Sequence, residues 1–488
     1  MQIESRSIDY IPLAERHGKV RDLWSVWFSG GAQLGTLATG MVSVELGLNL
    51  AWSTVAIMLG SALGTLFMAL HSTQGPQLGL PQMIQSRPQF GRHGALLVWA
   101  VALVTYIGFN AFGQVLAAQT VRQIIGLEPG ITLVLFTAGS LTLAVFGYDS
   151  IHSAQRLLAY ALTACMVVFC VGAGVIHVPF GDLRSASFQP VPFLIQLFAA
   201  TAYQLSWSIY VSDYSRYLPR DVSPVESFMW TYFGAWIGGA WMMEVGAVVA
   251  AMNPHMEVAL AVQRSGDSIL SGLGIVLLIA SLGGLLTVTA INFYGASLTL
   301  LSAIDTVKPI QSTRRVRILS LVFTGAAASA VALFLRGDYV SSFKDLLTIL
   351  LYLFTPWTSI NLIDFFVVRH GQYSIREIFN VNGIYGQWNW RGLVAYTVGF
   401  AAMIPFVSTG FYMGPIARLL QGADVAMLVG LPVSAVIYLL ACRSMDIETE
   451  MRQVVIADQD LEPGAAAARS ISSDVEMPTA RIGYQSRR

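Results

Sequence analysis

Charged residues are scarce in this chain of 488 residues, and their scarcity excludes most soluble folds. Lys, Arg, Asp and Glu together make up 11% of the chain, whereas hydrophobic residues make up 55%. An ordinary soluble chain carries roughly 25% charged residues. The 28 basic and 28 acidic residues give a formal net charge of zero, so no basic surface for nucleic acid is expected. The composition indicates a polytopic membrane protein.

Cysteines are few, and the motifs of soluble enzymes are missing. The 3 cysteines are Cys165, Cys170 and Cys442, and their spacing predicts neither a disulfide framework nor a metal cluster. The sequence has no P-loop, no HExxH and no GxSxG motif. A membrane-embedded enzyme would need convergent carboxylates, histidine pairs or a nucleophile with its base, and the apolar segments hold none. We expect no enzymatic activity, no cofactor, and no metal other than a candidate sodium site.

Long apolar segments fill most of the chain. A bilayer core requires about 20 apolar residues per helix, and residues 1–22 are too polar for a cleavable signal peptide. The sequence predicts twelve spans, at 23–46, 52–71, 95–121, 131–148, 156–178, 193–213, 228–252, 269–304, 318–335, 343–368, 393–412 and 423–442. The eighth segment is too long for one simple helix, so we expect a surface helix or an extension beyond the membrane there. The polar, Ala- and Ser-rich residues 443–488 predict a disordered tail.

The basic residues predict the orientation of the chain. Most of the 28 Lys and Arg residues lie before span 1, in alternate loops and after span 12. Cytoplasmic loops carry an excess of Lys and Arg. We therefore expect a protein of the bacterial inner membrane whose N-terminal segment 1–22 and tail 443–488 both lie in the cytoplasm.

Spans 1 and 6 are interrupted by residues that a lipid-facing helix would avoid. The centre of span 1 holds Gln33 among four glycines, which are Gly30, Gly31, Gly35 and Gly40. The centre of span 6 is polar and aromatic, with Tyr203, Gln204, Ser206, Trp207 and Ser208. Glycine allows the backbone to unwind, and unwound backbone at membrane depth is tolerated only where protein or a cavity covers it. Paired interrupted spans in two halves of a chain indicate a transporter binding site.

The polar residues in the middle of the spans are mostly amides and hydroxyls near aromatic rings, and no Lys or Arg lies among them. They belong to spans 1, 3, 6 and 8, and they are Gln33, Tyr106, Phe109, Asn110, Gln204, Ser206, Trp207, Thr287, Thr289 and Asn292. Amides both donate and accept hydrogen bonds, and offset ring stacking contributes about 0.5–1.5 kcal/mol per pair beyond burial. A flat, neutral heterocycle fits this set, and a sugar fits nearly as well. Helix packing is the alternative for each residue alone, because polar side chains also join membrane helices at about 0.6 kcal/mol each.

Acidic residues within the spans are few, and Glu244 in span 7 is the deepest. A carboxylate at that depth is a candidate proton carrier, with a neutral, hydrogen-bonded structural glutamate as the alternative. A sodium site would need several oxygens, some of them from unwound backbone. Ser29, Ala32 and Thr287 are the candidates for such a site.

Five segments, taken in order, resemble the nucleobase–cation symporter-1 family of purine/cytosine permeases. They are IPLAERHG at 11–18, YIGFN at 106–110, SDYSRYLPR at 212–220, LIDFFVVRHGQY at 362–373 and NWRGLVAYTVG at 389–399. The resemblance covers residues 8–443 and implies an all-α polytopic membrane protein with the leucine-transporter fold. In that fold, twelve transmembrane helices form a 5+5 inverted repeat plus two extra helices. The transporter domain would then be 23–442, with spans 1–5 at 23–178, spans 6–10 at 193–368 and spans 11–12 at 393–442.

The resemblance also implies roles for individual residues in spans 1, 3 and 8. Gln33 corresponds to the family's span-1 glutamine, and Phe109 to its stacking tryptophan of span 3. Asn292 corresponds to the span-8 asparagine that reads the edge of the base. Thr287 corresponds to a hydroxyl of the family's sodium site, but Leu286 replaces the neighbouring serine, so coupling to protons is expected rather than to sodium.

The alignment of span 6 with the family leaves two registers open. The second stacking ring falls at Gln204 in one register and at Trp207 in the other. We prefer Trp207 as the ring, with Ser206 and Gln204 as its hydrogen-bonding partners.

The sequence thus predicts a secondary transporter that imports a neutral nucleobase, cytosine or a purine, by cation symport and alternating access. The bundle of spans 1, 2, 6 and 7 would move against spans 3, 4, 8 and 9, with span 10 as a gate. The alternatives are a related heterocycle such as allantoin, a hydantoin, uracil or a thiamine-like vitamin, or an amino acid. The expected partners are the small-molecule substrate and the lipid bilayer, without nucleic acid, and the chain is expected to act as a monomer.

Overall fold

The computed structural model describes residues 9–146, 148–176, 188–308, 310, 313–335, 338–459 and 461. Throughout these residues the chain is α-helical, and its one isolated β-bridge joins Ser408 and Met413. Within the described part of the chain, seven helices are long and apolar enough to cross a membrane, or eight if the bent pair Ala426–Cys442 and Ile447–Ala457 counts as one span. The predicted all-α polytopic class is confirmed. Of the other predicted spans, 1 and 6 are broken, 11 and 12 are short, and span 5 is a long helix whose apolar part is Tyr160–Ile176.

The helices follow the order of the predicted spans. Those of spans 1 to 6 are Asp22–Gly31 with Leu34–Glu45, Leu50–Ser72, Ala95–Ile125, Pro129–Phe146, Tyr148–Ile176, and Pro190–Ser206 with Val211–Ser215. Those of spans 7 to 12 are Pro224–Met252, Leu273–Val307, Arg314–Phe334, Tyr339–Ile363 with the π turn Asp364–Val368, Trp390–Met403, and Ala426–Cys442. The long eighth span is one helix of 35 residues, and a separate helix of 12 residues, Val258–Ile269, precedes it.

Span 1 is interrupted where its glycines predict. Its first helix ends at Gly31, and Gln33 is extended, with φ −153° and ψ 163°, before the second helix begins at Leu34. The glycines also allow a close approach to span 7. A Cβ on Gly31 would lie 2.7 Å from the backbone nitrogen of Gly239, and a Cβ on Gly40 would overlap the carbonyl oxygen of Met243.

Span 6 is interrupted one helical turn beyond its centre. The helix Pro190–Ser206 passes into a 3-10 turn at Trp207–Ile209, and Tyr210 leaves the helical conformation before Val211–Ser215 resumes it. Both predicted interruptions are therefore confirmed, and span 6 breaks beside Trp207.

Hydrogen bonds at one end of the bundle join the segments next to spans 1, 2, 6 and 10. The His17 N–H donates to the carbonyl of Tyr217 at 2.7 Å, and Gln89 Nε2 donates to Asp364 Oδ2 at 2.7 Å. This end, called here the terminal face, carries both ends of the described chain. The distribution of basic residues predicts that the terminal face lies in the cytoplasm, and that orientation stays a prediction.

Two sequence predictions are wrong. Span 11 was expected to reach residue 412, but its helix ends at Met403 because Pro405 removes a backbone donor and starts a tight turn. The tail from residue 443 was expected to be disordered, but Ile447–Ala457 is helical, capped by the Asp446 side chain, which accepts from the Thr449 N–H at 3.1 Å. The rest of the predicted tail, from residue 462, lies outside the described residues.

Candidate functional site

A cavity lies at the level of the two breaks, among spans 1, 3, 6, 8 and 10. Its lining residues are Gln33, Gly35, Thr105, Tyr106, Phe109, Phe112, Gly113, Leu116, Tyr203, Ser206, Trp207, Tyr210, Leu285, Val288, Thr289, Asn292, Tyr339 and Phe343. This set of described residues includes no Lys, Arg, Asp or Glu. A neutral ligand suits such a cavity, because a buried ion without a counter-charge is strongly disfavoured.

Most of the predicted substrate residues line this cavity: Gln33, Tyr106, Phe109, Ser206, Trp207 and Asn292. Gln204 does not, because its Nε2 donates to the carbonyl of Ala235 in span 7 at 2.8 Å. Asn110 is also outside the lining. It is 1% exposed, and among the described residues its Oδ1 has no hydrogen-bond partner.

Helical spacing explains which side chains of span 6 reach the cavity. Tyr203, Ser206 and Trp207 stand three and four residues apart, so they share one face of the helix, whereas Gln204 lies on the face toward span 7. Of the two registers considered for span 6, the structure places Trp207 on the cavity. The role of Trp207 as a stacking ring stays a prediction.

Aromatic rings surround the cavity on both sides. On the side of the terminal face, the rings of Tyr106 and Tyr210 stack at 5.8 Å between centroids with an angle of 22° between their planes. Toward the opposite end, Phe343 meets Phe109 edge to face at 6.0 Å, and Tyr339 meets Phe112 at 5.4 Å. Ring faces and edges therefore border the space in which the amides lie.

The polar groups of the cavity form specific hydrogen bonds. Gln33 Nε2 donates to the Tyr203 hydroxyl at 2.5 Å, and Thr36 Oγ1 lies 2.6 Å from the same hydroxyl. Ser206 Oγ donates to the carbonyl of Tyr203 at 2.6 Å, so it closes the last turn before the break. Tyr203 thus joins both interrupted spans.

Sequence reasoning missed the contributions of span 10 and two tyrosines of span 6. It assigned no cavity residue to span 10, although Tyr339 and Phe343 stand four residues apart at its start, as aromatic residues on one helix face do. Tyr203 stood out at the centre of span 6 but received no role. Tyr210 lies beyond the break, and a helical pattern does not predict its direction.

The candidate coupling residues lie at two separate places. The Ala32 carbonyl oxygen faces span 8, 3.9 Å from where a Cβ on Gly284 would lie, and Thr287 Oγ1 donates to the Gly284 carbonyl at 3.0 Å. The carbonyl of Ser29 accepts from the Ala32 N–H at 3.2 Å. These three residues therefore lie near one contact between the break of span 1 and span 8.

Glu244 lies away from the cavity, on the contact between spans 7 and 2. Its Oε2 accepts from Thr54 Oγ1 at 2.8 Å. Its Oε1 is buried and has no hydrogen-bond partner among the described residues. The carboxyl group therefore has one buried oxygen that accepts no hydrogen bond from the described residues.

A helical membrane bundle whose first and sixth spans break beside one uncharged cavity defines a membrane transporter. A family profile described as permeases for cytosine/purines, uracil, thiamine and allantoin matches residues 10–430. The chain belongs to this family, the nucleobase–cation symporter-1 family, as the sequence motifs predict.

Relatives and solved structures agree with this assignment. A putative purine-cytosine permease of Bacillus subtilis is 35% identical over 441 residues, which cover 90% of this chain and 95% of the relative. The purine-cytosine permease fcyB of Emericella nidulans is 23% identical, with 90% of this chain and 88% of the relative covered. Mhp1, a nucleobase-cation-symport-1 transporter solved in a closed conformation with bromovinylhydantoin bound, superposes with a TM-score of 0.73. That superposition covers 94% of this chain and 100% of Mhp1 at 16% identity, and it confirms the predicted leucine-transporter fold.

Proposed function

We propose that this protein is a secondary transporter that imports a neutral nucleobase, cytosine or a purine, by cation symport and alternating access. The observation that carries this proposal is the uncharged cavity, whose lining includes the amides of Gln33 and Asn292 and the rings of Tyr106 and Trp207. An amide can pair with the N–H and C=O groups on the edge of a base, while rings stack on its faces. The names of the Bacillus and Emericella relatives support the same substrates.

Asn292 and Gln33 read the edge of the base, and Trp207 with Phe109 or Tyr106 packs on its faces. Related heterocycles are the second candidates, because the family description includes uracil, thiamine and allantoin and Mhp1 holds a hydantoin. An amino acid suits the cavity less well, since none of the lining side chains offers a charge to its carboxylate or ammonium group.

The coupling ion in this proposal is a proton. Glu244 is the candidate carrier, since it offers a carboxylate with one unsatisfied oxygen. Sodium is the alternative, and the contact of Ala32 with span 8 beside Thr287 supports it. The terminal face lies in the cytoplasm, and the protein resides in the bacterial inner membrane as a monomer.

Uptake in a host that lacks its own nucleobase transporters tests the proposal. We expect saturable uptake of radiolabelled cytosine or a purine that a protonophore abolishes and that sodium removal leaves unchanged. Asn292→Ala should abolish this uptake, while the amount of the protein in the membrane stays the same as for the wild type. If no nucleobase or hydantoin is taken up or competes, the proposed function is wrong. A requirement for sodium with resistance to the protonophore would reject proton coupling alone.

A further inference from the structure

A chain of three hydrogen-bonded side chains joins the two broken spans beside the cavity. Thr36 Oγ1 lies 2.6 Å from the Tyr203 hydroxyl, which accepts from Gln33 Nε2 at 2.5 Å. All three side chains are buried. Gln33 and Tyr203 line the cavity, but Thr36, which is 0% exposed, does not. Thr36 therefore has no direct access to a ligand.

Counting protons gives this chain a direction. A tyrosine hydroxyl has a single proton. Either hydroxyl can be the donor between Thr36 and Tyr203, but only donation by Tyr203 to Thr36 Oγ1 leaves the Tyr203 oxygen as a pure acceptor for the Gln33 amide. The amide nitrogen of Gln33 is thereby held at Tyr203. Its oxygen lies on the side of Gly35, where a Cβ on Gly35 would stand 3.2 Å from Oε1, and Gly35 is itself a lining residue.

The direction of the amide matters because the two ends of a glutamine side chain recognise opposite groups. An amide oxygen accepts from a ring N–H, whereas an NH₂ group donates to a ring nitrogen that carries a lone pair. The backbone around Gln33 is extended and lies outside both helices of span 1. The Tyr203 hydroxyl is the side chain that holds one end of this amide, and the other end is left for the ligand.

We propose that Thr36 and Tyr203 are positioning residues that fix the hydrogen-bond polarity of Gln33, so that this wall of the cavity presents an acceptor. The site then selects heterocycles that place a ring N–H at the Gln33 edge. The proposal rests on the proposed function for its ligand class. It assigns to Thr36, which does not line the cavity, an effect on substrate selectivity.

The proposal is tested by comparing two bases of similar shape whose hydrogen-bond donors and acceptors are exchanged along one edge. Uracil and cytosine form one such pair, and hypoxanthine and adenine form another. For each pair, the ratio of the two inhibition constants against uptake of the transported base would be measured in the wild type and in Thr36→Val. Without the Thr36 hydroxyl, the Gln33 amide can rotate and present its NH₂ group to the ligand. Of the two pairs of bases, the one that the wild type distinguishes more strongly should show the effect. We expect its ratio of inhibition constants to move about tenfold toward one.

Three further variants separate positioning from general damage. Thr36→Ser keeps the hydroxyl and should keep the wild-type ratio. Tyr396→Phe removes a buried hydroxyl that donates to the Leu353 carbonyl at 2.9 Å, far from the cavity, and should also keep it. In a Gln33→Ala background, Thr36→Val should cause no additional change in the ratio. An unchanged ratio in Thr36→Val, or an equal change in the Gln33→Ala background, would overturn the proposal.

A measurement without ligand separates this proposal from the proposed function. Thermal unfolding of the purified protein would be compared for Thr36→Val, Tyr203→Phe and the double variant. If the hydroxyls form one chain, the double variant should unfold at nearly the midpoint of Tyr203→Phe alone, because the chain is already broken. Additive shifts would show that the chain does not exist. Failure of every base to compete, with non-additive shifts, would reject the ligand class and leave the chain in place.

Discussion

Asp364, where span 10 meets the terminal face, offers a sharp test of how the bundle is held together. Its carboxylate is 0% exposed and accepts from donors on three parts of the chain. Oδ2 accepts from Gln89 Nε2 at 2.7 Å and from the Tyr373 hydroxyl at 2.8 Å. Oδ1 accepts from the Tyr438 hydroxyl of span 12 at 2.8 Å and from the guanidinium of Arg369. Replacement of this carboxylate therefore tests several contacts at once.

The magnitude follows from what Asp364→Asn removes. The hydrogen bonds on the Oδ2 side can be recovered, because Gln89 can turn its unsatisfied Oε1 toward the new amide and a tyrosine hydroxyl can accept as well as donate. The charge cannot be recovered. Breaking a buried ion pair costs about 3–5 kcal/mol, and Arg369 keeps a second partner, Glu450, at 2.6 Å. We therefore expect a loss near the lower limit, about 3 kcal/mol.

A graded series makes this estimate testable. Asp364→Ala removes all the hydrogen bonds and should cost about 5 kcal/mol, while Glu450→Gln should cost about 1.5–3 kcal/mol for one charged hydrogen bond. Glu448→Gln is the matched control on the same helix, because Glu448 is 89% exposed and lies 4.0 Å from Arg452. We expect no measurable change for it.

Unfolding midpoints of the purified variants in one detergent, heated at one rate, would give the order of the series. A fixed rate is needed because large proteins often unfold irreversibly. The expected order of destabilisation is Asp364→Ala, Asp364→Asn, Glu450→Gln and then Glu448→Gln. Equal midpoints for Asp364→Asn and Glu448→Gln would refute the reasoning.

Three other substitutions test separate features. Gly40→Ala places a methyl group against the Met243 carbonyl, so it should lower the unfolding midpoint and the amount of protein in the membrane. Gly47→Ala is the control, because its methyl group would meet no atom within 4 Å. Its positive φ is strained for alanine, so we expect a weaker effect. Trp207→Ala should raise the KM for the transported base at least tenfold, about 1.4 kcal/mol. Gln204→Ala should lower stability with little change in KM. The opposite pattern would indicate that Gln204, and not Trp207, contacts the substrate. Glu244→Gln should abolish the pH dependence of uptake, and an unchanged pH profile would remove Glu244 as the proton carrier.

The sequence was sufficient for the features that depend on local composition. Glycines around Gln33 predicted the break in span 1, and the amides and rings of spans 1, 3, 6 and 8 predicted most of the cavity. Features that depend on long-range contacts were missed. The direction of Gln204 is set by span 7, and the helix Ile447–Ala457 is ordered against the terminal face through the contact of Glu450 with Arg369. A polar composition alone does not predict such a partner.

Span 10 is held differently at its two ends, and this difference bears on its proposed role as a gate. At the terminal face, Asp364 accepts from Tyr438 of span 12 and from Gln89 of the segment between spans 2 and 3. The neighbouring Arg369 pairs with Glu450 of the helix Ile447–Ala457. At the cavity, Tyr339 and Phe343 meet span 3 through ring contacts. Separating aromatic pairs costs about 0.5–1.5 kcal/mol each beyond burial. Each hydrogen bond to a charged group contributes about 1.5–3 kcal/mol, so the contacts at the terminal face are the stronger ones. The contacts therefore favour opening of the cavity at the end of span 10 that carries the rings, while the end that carries Asp364 stays in place.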